Sequence, residues 1–589
     1  MNLLRRHILL LLLLCTPAAG FAQDLRDIGQ LARDGAPGLA LELLTQIQPD
    51  AGTNFDGWLF FERQRVEILR DWQMWDVLLK RLQSFPSSAP AELQRWAKVE
   101  MANAELQLGN GEQARVYLRQ LLWQPPGLVE QEEFSLYRRL VLRSYLVDDK
   151  LQDARRAMQR YEQDFGNKGD DWIRLKARVL LRTNRAEEAA RLFDAKTKSD
   201  HETQALKLLA RLRSNKQSPE AILGEARKLA KAKGTREVNS ARLWKVAAEA
   251  AAMLHSNLTL VKTLEEAALL SPRLNNDPLF MTGGDELWNA YEQYAMDEGN
   301  AMQFLVGQDE RWLTEAAKWK DKRSQRERAF LTVVMFNAST PEARAKAYTR
   351  FLASVAKRDP GGVTLLSKLF LDSSRFPTAG TVPNAVRYIL VDDALSKNDI
   401  ELATRLMSGL DEAPEDSNPL EWGLRRARVL ILGGRADEGI NVLNKLIDAM
   451  DTPDKAALDR ATQVVFDLQT IGRDKQAITL LDKLDKLTVD PQLKRELLFW
   501  QADSYKALGG WPRAAQLYLL SATLVDGKGY DLWGQTARFR AAEVLAEAGV
   551  VDDARRLYEG LLKMTREPTR RAAIRYKLQG LWLKEPAHQ

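Results

Sequence analysis

The sequence is almost free of cysteine. Cys15 is the only one in 589 residues, and it lies in a leading segment that reads as a secretory signal. The chain beyond that segment therefore carries no thiol chemistry, no cysteine metal site and no disulfide. Histidine is nearly as scarce. His7 falls in the same segment, and His201, His255 and His588 stand too far apart in sequence for a zinc or histidine-base motif. No metal or cofactor is expected. A surplus of one charge sign is also missing: the formal net charge of +6 over this length gives no reason to expect nucleic-acid binding.

Long hydrophobic runs are absent too. The one apolar stretch, from His7 to Leu14, follows Arg5 and Arg6 and precedes the small-x-small site Gly20-Phe21-Ala22. This order is that of a cleaved export signal over residues 1–22, with Gln23 first in the mature chain. The run is too short to serve comfortably as a membrane anchor, so no transmembrane segment is expected after cleavage. Leu14, bulky and directly before Cys15, argues against lipidation. The twin arginines lack the polar and aromatic neighbours of a twin-arginine signal, which leaves general secretion and a periplasmic destination.

What is present is a recurring frame. Near the C terminus a small residue, Ala542, is followed by Gly549, Ala554 and Tyr558, at steps of seven, five and four. The frame returns as Ala502, Gly509, Ala514, Tyr518, as Ala102, Gly109, Ala114, Leu118, and as Ala427, Gly434, Gly439, Leu443. It also returns with Val465 before Gly472, Ala477, Leu481, and with Ile28 before Gly35, Ala40, Leu44. Each position has a physical task. The first residue lets one helix lie close to the next, and the glycine ends that helix in a left-handed conformation. The alanine is small where two helices cross, and the large residue four further on packs under it on the same face. Where glycine is missing, Asp149, Asn184 and Asn398 precede Ala154, Ala189 and Ala403 by the same five positions. Asn and Asp are the residues that next best tolerate that backbone. The gap between Ala40 and Ala114 fits two units.

This frame resembles the tetratricopeptide repeat, whose helix-turn-helix units run to about 34 residues. Trp244, Ala248, Leu264, Ala267 and Pro272 match its tryptophan, small, apolar, alanine and proline positions, and Pro126 closes an earlier unit in the same way. The resemblance implies an all-α fold, tandem helix-turn-helix repeats forming a right-handed superhelical solenoid. The expected divisions are a signal over 1–22, a first array over 23–275, an irregular helical region over 276–380 and a second array over 381–589. The irregular region has no clean frame. It holds the turn-rich Asn275-Asn276-Asp277-Pro278 and the breaker Asp359-Pro360-Gly361-Gly362.

The family is specific for architecture and nearly silent on ligand. It implies a non-catalytic, protein-binding scaffold of the bacterial cell envelope with protein partners there. The alternative from another class is a subunit that binds peptidoglycan or an exported anionic polysaccharide. An enzymatic alternative, a lytic transglycosylase-like chain, needs a C-terminal catalytic domain for which the frame through Tyr558 leaves no room. Glu543 and Glu547, one helical turn apart, read as ordinary helix surface. Gly283-Gly284-Asp285-Glu286-Leu287 resembles the diguanylate cyclase signature. The helical Trp288-Asn289-Ala290-Tyr291 directly after it argues for a turn, with Asp285 or Thr282 capping the next helix.

Two basic features are candidates for binding. Lys318, Lys320, Lys322, Arg323, Arg326 and Arg328 form a run that reads either as an anion-binding surface or as a solvated helix face. The sharper feature comes from the repeat, because residues eleven and fifteen before the second-helix alanine face the concave groove in the family. In two adjacent units these are all arginine: Arg139 and Arg143 before Ala154, Arg174 and Arg178 before Ala189. They read either as a stripe that binds carboxylates or phosphates or as partners for acids of neighbouring repeats. Most of the fifteen tryptophans are expected in the core, Trp244, Trp500 and Trp511 among them, and any exposed in a groove could stack on sugar rings.

Overall fold

Helix succeeds helix along the whole described chain, and no strand occurs among the described residues. The structure is a computed structural model. It describes residues 28–582 apart from 124–128, 195–199, 275–276, 300–306, 320–324, 357–360, 416, 452 and 529. The proposed signal, residues 1–22, lies outside the described residues. The chain divides into two compact units after Leu369, inside the stretch expected to be irregular.

Within each unit the building block is a pair of helices joined by a short turn. In the first unit Ala91–Gln107 pairs with Gly111–Leu122, Gln131–Val147 with Leu151–Phe165, and Asp170–Arg182 with Ala186–Leu192. In the second, Pro419–Leu432 pairs with Ala436–Asp448, Lys455–Thr470 with Asp474–Leu487, Pro491–Ala507 with Trp511–Thr523, and Leu532–Glu547 with Val551–Met564.

The turns show why the frame recurs. Gly109, Gly434, Gly472, Gly509 and Gly549 have φ of 85°, 85°, 73°, 75° and 79°, and the substitutes Asp149, Asn184 and Asn398 have 56°, 58° and 59°. In every case the next residue donates its backbone N–H to the carbonyl five positions back, as Asn110 does to Glu105 at 2.8 Å and Arg473 to Leu468 at 2.9 Å. That bond satisfies one carbonyl the helix end would otherwise leave open, and only a left-handed residue brings the chain back to it. Three further turns use Gln73, Asn215 and His255, at φ of 57°, 54° and 51°. Their closing bonds are the same, at 2.8 to 3.0 Å. Gln73 marks the unit between Ala40 and Ala114, where Leu78 takes the seam position and is fully buried. The four paired first helices of the second unit open on side-chain caps, from Asn418, Asp454, Asp490 and Asp531. Each supplies an acceptor for first-turn N–H groups.

The seam is as small as the frame requires. Ala40, Ala114, Ala154, Ala189, Ala403, Ala477, Ala514 and Ala554 are all 0% exposed, and the residues four further on, from Leu44 to Tyr558, are buried beneath them. At Gly439 the helices come closer still. An added Cβ would sit 2.7 Å from Ile431 Cγ1 and 2.8 Å from the Ala427 carbonyl.

The 276–380 stretch packs differently. Helix Gln325–Asn337 is buried from Glu327 through Met335, not along one stripe. The expectation of a single basic face over 318–328 is therefore corrected. Arg328 is 1% exposed and holds the fully buried Glu265, Nη2 reaching both carboxylate oxygens at 2.7 Å. Tyr291 donates its hydroxyl to the same carboxylate at 2.6 Å. Helical periodicity could not show this, because a helix surrounded on all sides leaves no polar face. Lys318 pairs with Glu315 and the Arg326 guanidinium lies 4.4 Å over the Trp319 ring, while Lys320, Lys322 and Arg323 fall outside the described residues.

Two outcomes test this packing. Gly439→Ala should destabilise the chain by roughly 1–3 kcal/mol through overpacking. Gly560→Ala, where nothing lies within 4 Å of the new methyl, should stabilise it by about 0.5–1 kcal/mol; urea unfolding followed by circular dichroism measures both. Glu265→Leu alone should cost about 3–5 kcal/mol by leaving a buried guanidinium uncompensated, and adding Arg328→Met should restore most of it.

Candidate functional site

Arg139 and Arg143 lie four residues apart on helix Gln131–Val147, and Arg174, Arg178 and Arg182 are spaced by four on helix Asp170–Arg182. Side chains at that spacing share a face. The structure brings all four predicted arginines to one cavity of about 450 Å³ in the first unit, together with Arg182, Arg242, Glu202 and Asp277.

They are not equivalent there. Arg178 is bidentate on Asp277, with Nη1 at 2.7 Å from both oxygens, and its Nη2 donates to Glu202 Oε1 at 2.7 Å. Arg242 reaches the same two acids, Asp277 at 3.3 Å and Glu202 at 3.4 Å. Arg174 pairs with Asp171 and, at 2.9 Å, with Asp200; Arg182 pairs with Asp149 at 2.6 Å. Of the two readings of these arginines, pairing with acids holds for Arg174 and Arg178, in part through acids of the following helix pair. Arg139 has only neutral partners, Ser135 Oγ and the Tyr161 hydroxyl, both at 3.3 Å. Arg143, half-buried, has no hydrogen-bond or ion-pair partner among the described residues.

The electrostatics reflect these contacts. Burial by itself would raise the Asp277 and Glu202 carboxyls, but Arg178 and Arg242 outweigh it and hold both below the ordinary carboxylate range. Burial and the nearby Arg178 push the Arg143 guanidinium down from its usual value. Arg178 is pushed up by Asp277 and Glu202 despite its burial, and its guanidinium also lies 5.7 Å over the Phe280 ring.

Sequence reasoning missed Asp277, Glu202 and Arg242. Asp277 belongs to the turn-rich segment singled out by composition, yet it meets Arg178 across 99 residues. No periodicity signals such a contact. The other features take structural places. Gly283 caps helix Gly284–Glu298 without any side-chain cap, so the expected capping by Asp285 or Thr282 is corrected, and Glu286 pairs with Lys245. Glu543 is held by Arg540 at 3.0 Å and Lys577 at 2.8 Å, while Glu547 is exposed. Trp244 is buried and Trp500 half-buried, but Trp511, the first residue of its helix, is 38% exposed. Trp123 is 83% exposed. Among the described residues no group of three His, Cys, Asp or Glu is arranged to hold a metal, and no helix is long and apolar enough to cross a membrane.

Fold and site together define an all-helical tandem-repeat protein of tetratricopeptide-like architecture with an arginine-lined cup. No family model matches the sequence, and no curated protein is significantly similar to it. Among solved structures the chain is similar to yeast Tom70, at 11% identity and a TM-score of 0.23, covering 84% of this chain and 97% of that one. It is similar also to the Cut9-Hcn1 hetero-tetramer of APC/C, at 14% identity and a TM-score of 0.20, covering 76% and 90%. The architecture stands on the turns and seams described above.

Because the folded Asp277 and Glu202 carboxyls titrate below their unfolded values, their contribution is complete above about pH 4 and is lost as pH falls through the folded values. Asp277→Asn should lower the melting temperature at neutral pH, as expected when a buried pair loses one partner. It should also flatten the acid side of the melting-temperature profile, measured by calorimetry.

Proposed function

We propose that the chain is a non-catalytic protein-binding scaffold of the bacterial cell envelope, exported to the periplasm by residues 1–22. One observation supports this above the others: helix pairs closed by the same left-handed turn succeed one another within each unit. Such an array stabilises itself through neighbouring interfaces and leaves the outer faces of successive helices free to hold an extended partner. A cysteine-free mature chain suits an oxidising compartment, since packing alone holds it. The partner is a protein; peptidoglycan or an exported polysaccharide is the alternative that the experiment separates.

The test is fractionation of cells producing the full chain, combined with in-cell photo-crosslinking. A photoreactive residue replaces Arg428, half exposed and eleven positions before Gly439, or, as a control, Arg556, exposed on the second helix of its pair. The expected result is a mature periplasmic protein lacking residues 1–22 that forms discrete protein adducts from position 428 and not from 556. A cytoplasmic, uncleaved chain, or adducts only to sacculi, would overturn the reading.

A further inference from the structure

Six arginines line the cup of the first unit or pair at its edge, and they face five acids: Asp149, Asp171, Asp200, Glu202 and Asp277. One positive charge is left over. It resides at Arg143 and its neighbour one turn away, Arg139, the two of the six without a carboxylate partner among the described residues. A guanidinium carries five N–H donors in a planar fork. Those of Arg143, which lines the cavity, have no acceptor among the described residues. Asp277 and Glu202 attract the Arg143 guanidinium without touching it, while burial, Arg178 and Arg242 disfavour its charge, so the cation is only partly offset and costly to keep.

The rest of the lining limits what can enter. Leu136, Leu140, Leu175 and Leu279 line the cup with apolar surface alongside Arg139 and Arg143. Asp277, Pro278 and Leu279 close it from far along the chain, and Leu279 and Phe280 are buried. The cup has a volume of about 450 Å³, the size of a small-molecule site. Asp277 and Glu202, already ionised and held by Arg178 and Arg242, line the same cavity and would repel a second negative charge.

We propose that this recess binds a small aliphatic monocarboxylate, its carboxylate held by Arg143 and Arg139 and its hydrocarbon stem lying on the leucine wall. The charge surplus matches one anionic charge, the fork matches a planar carboxylate, and the apolar wall selects a stem over a polar body. This goes beyond the scaffold reading and gives that scaffold a small-molecule ligand.

The probe is octanoate, added to the full chain and followed by calorimetric titration and thermal shift. Wild type is expected to bind it and to melt higher in its presence. Arg143→Met should bind it at least about tenfold more weakly, while its own melting temperature without ligand stays level or rises. 1-Octanol, which lacks the charge, and octyl phosphate at slightly alkaline pH, where it is a dianion, should both bind more weakly than octanoate. If Arg143→Met fails to fold, isotope-labelled octanoate on wild type gives the answer. Its carboxyl signal should titrate at lower pH when bound than when free. Absent binding, equal binding to Arg143→Met, tighter binding of octyl phosphate, or an unshifted carboxyl titration would each overturn the inference. A peptide ending in a carboxylate that binds where octanoate does not would overturn it too. The scaffold reading is tested on the second unit, so the two can fail separately.

Discussion

Each helix pair of the repeat frame depends on one residue that can take a positive φ. Where the chain leaves the first helix it must turn within two residues, and the only closure that satisfies the helix end runs from the residue after the left-handed one to the carbonyl five positions back. Glycine meets this at Gly109, Gly434, Gly472, Gly509 and Gly549, and Asn or Asp at Asp149, Asn184 and Asn398. The fixed turn then sets the register of the second helix. In most units that register places a small residue against the preceding helix five positions on, and a large one beneath it.

Charge adds a second kind of constraint that ignores this register. Glu265 and Arg328 meet across 63 residues in the dry interior, and Asp277 ties together arginines from two separate helices. Neither interaction is required to form a helix pair. Both fix how particular pairs are arranged within the first unit, where a buried charge tolerates only the arrangement that keeps its partner.

This division explains what could be read from the sequence. The turns and seams repeat, so a single sequence displays them several times, and the frame around Ala114, Ala154 and Ala554 could be recognised without coordinates. Gln73 and His255 escaped because the turn there uses residues that composition does not mark. The arginines 139, 143, 174 and 178 were legible as one group because helical spacing gathers them. That Arg174 and Arg178 are neutralised while Arg143 is not depends on Asp277 and Glu202, whose positions come from tertiary packing. The burial of Arg328 was hidden for a similar reason: a helix enclosed on every side has lost the amphipathic signal by which burial is inferred.

The closing bond of each turn is local, spanning six residues, and this has a mechanical consequence. Among the described residues of the second unit the ion pairs between hairpins join only neighbours, as Arg428 does with Asp467 and Arg495 with Asp531, so tension along the chain is relieved one hairpin at a time. Between Arg174 and Asp277 the ionic cross-links span several hairpins, and that stretch resists as a block. The same architecture thus supplies a compliant spring where its bonds are local and a stiff mount where charges lace it together.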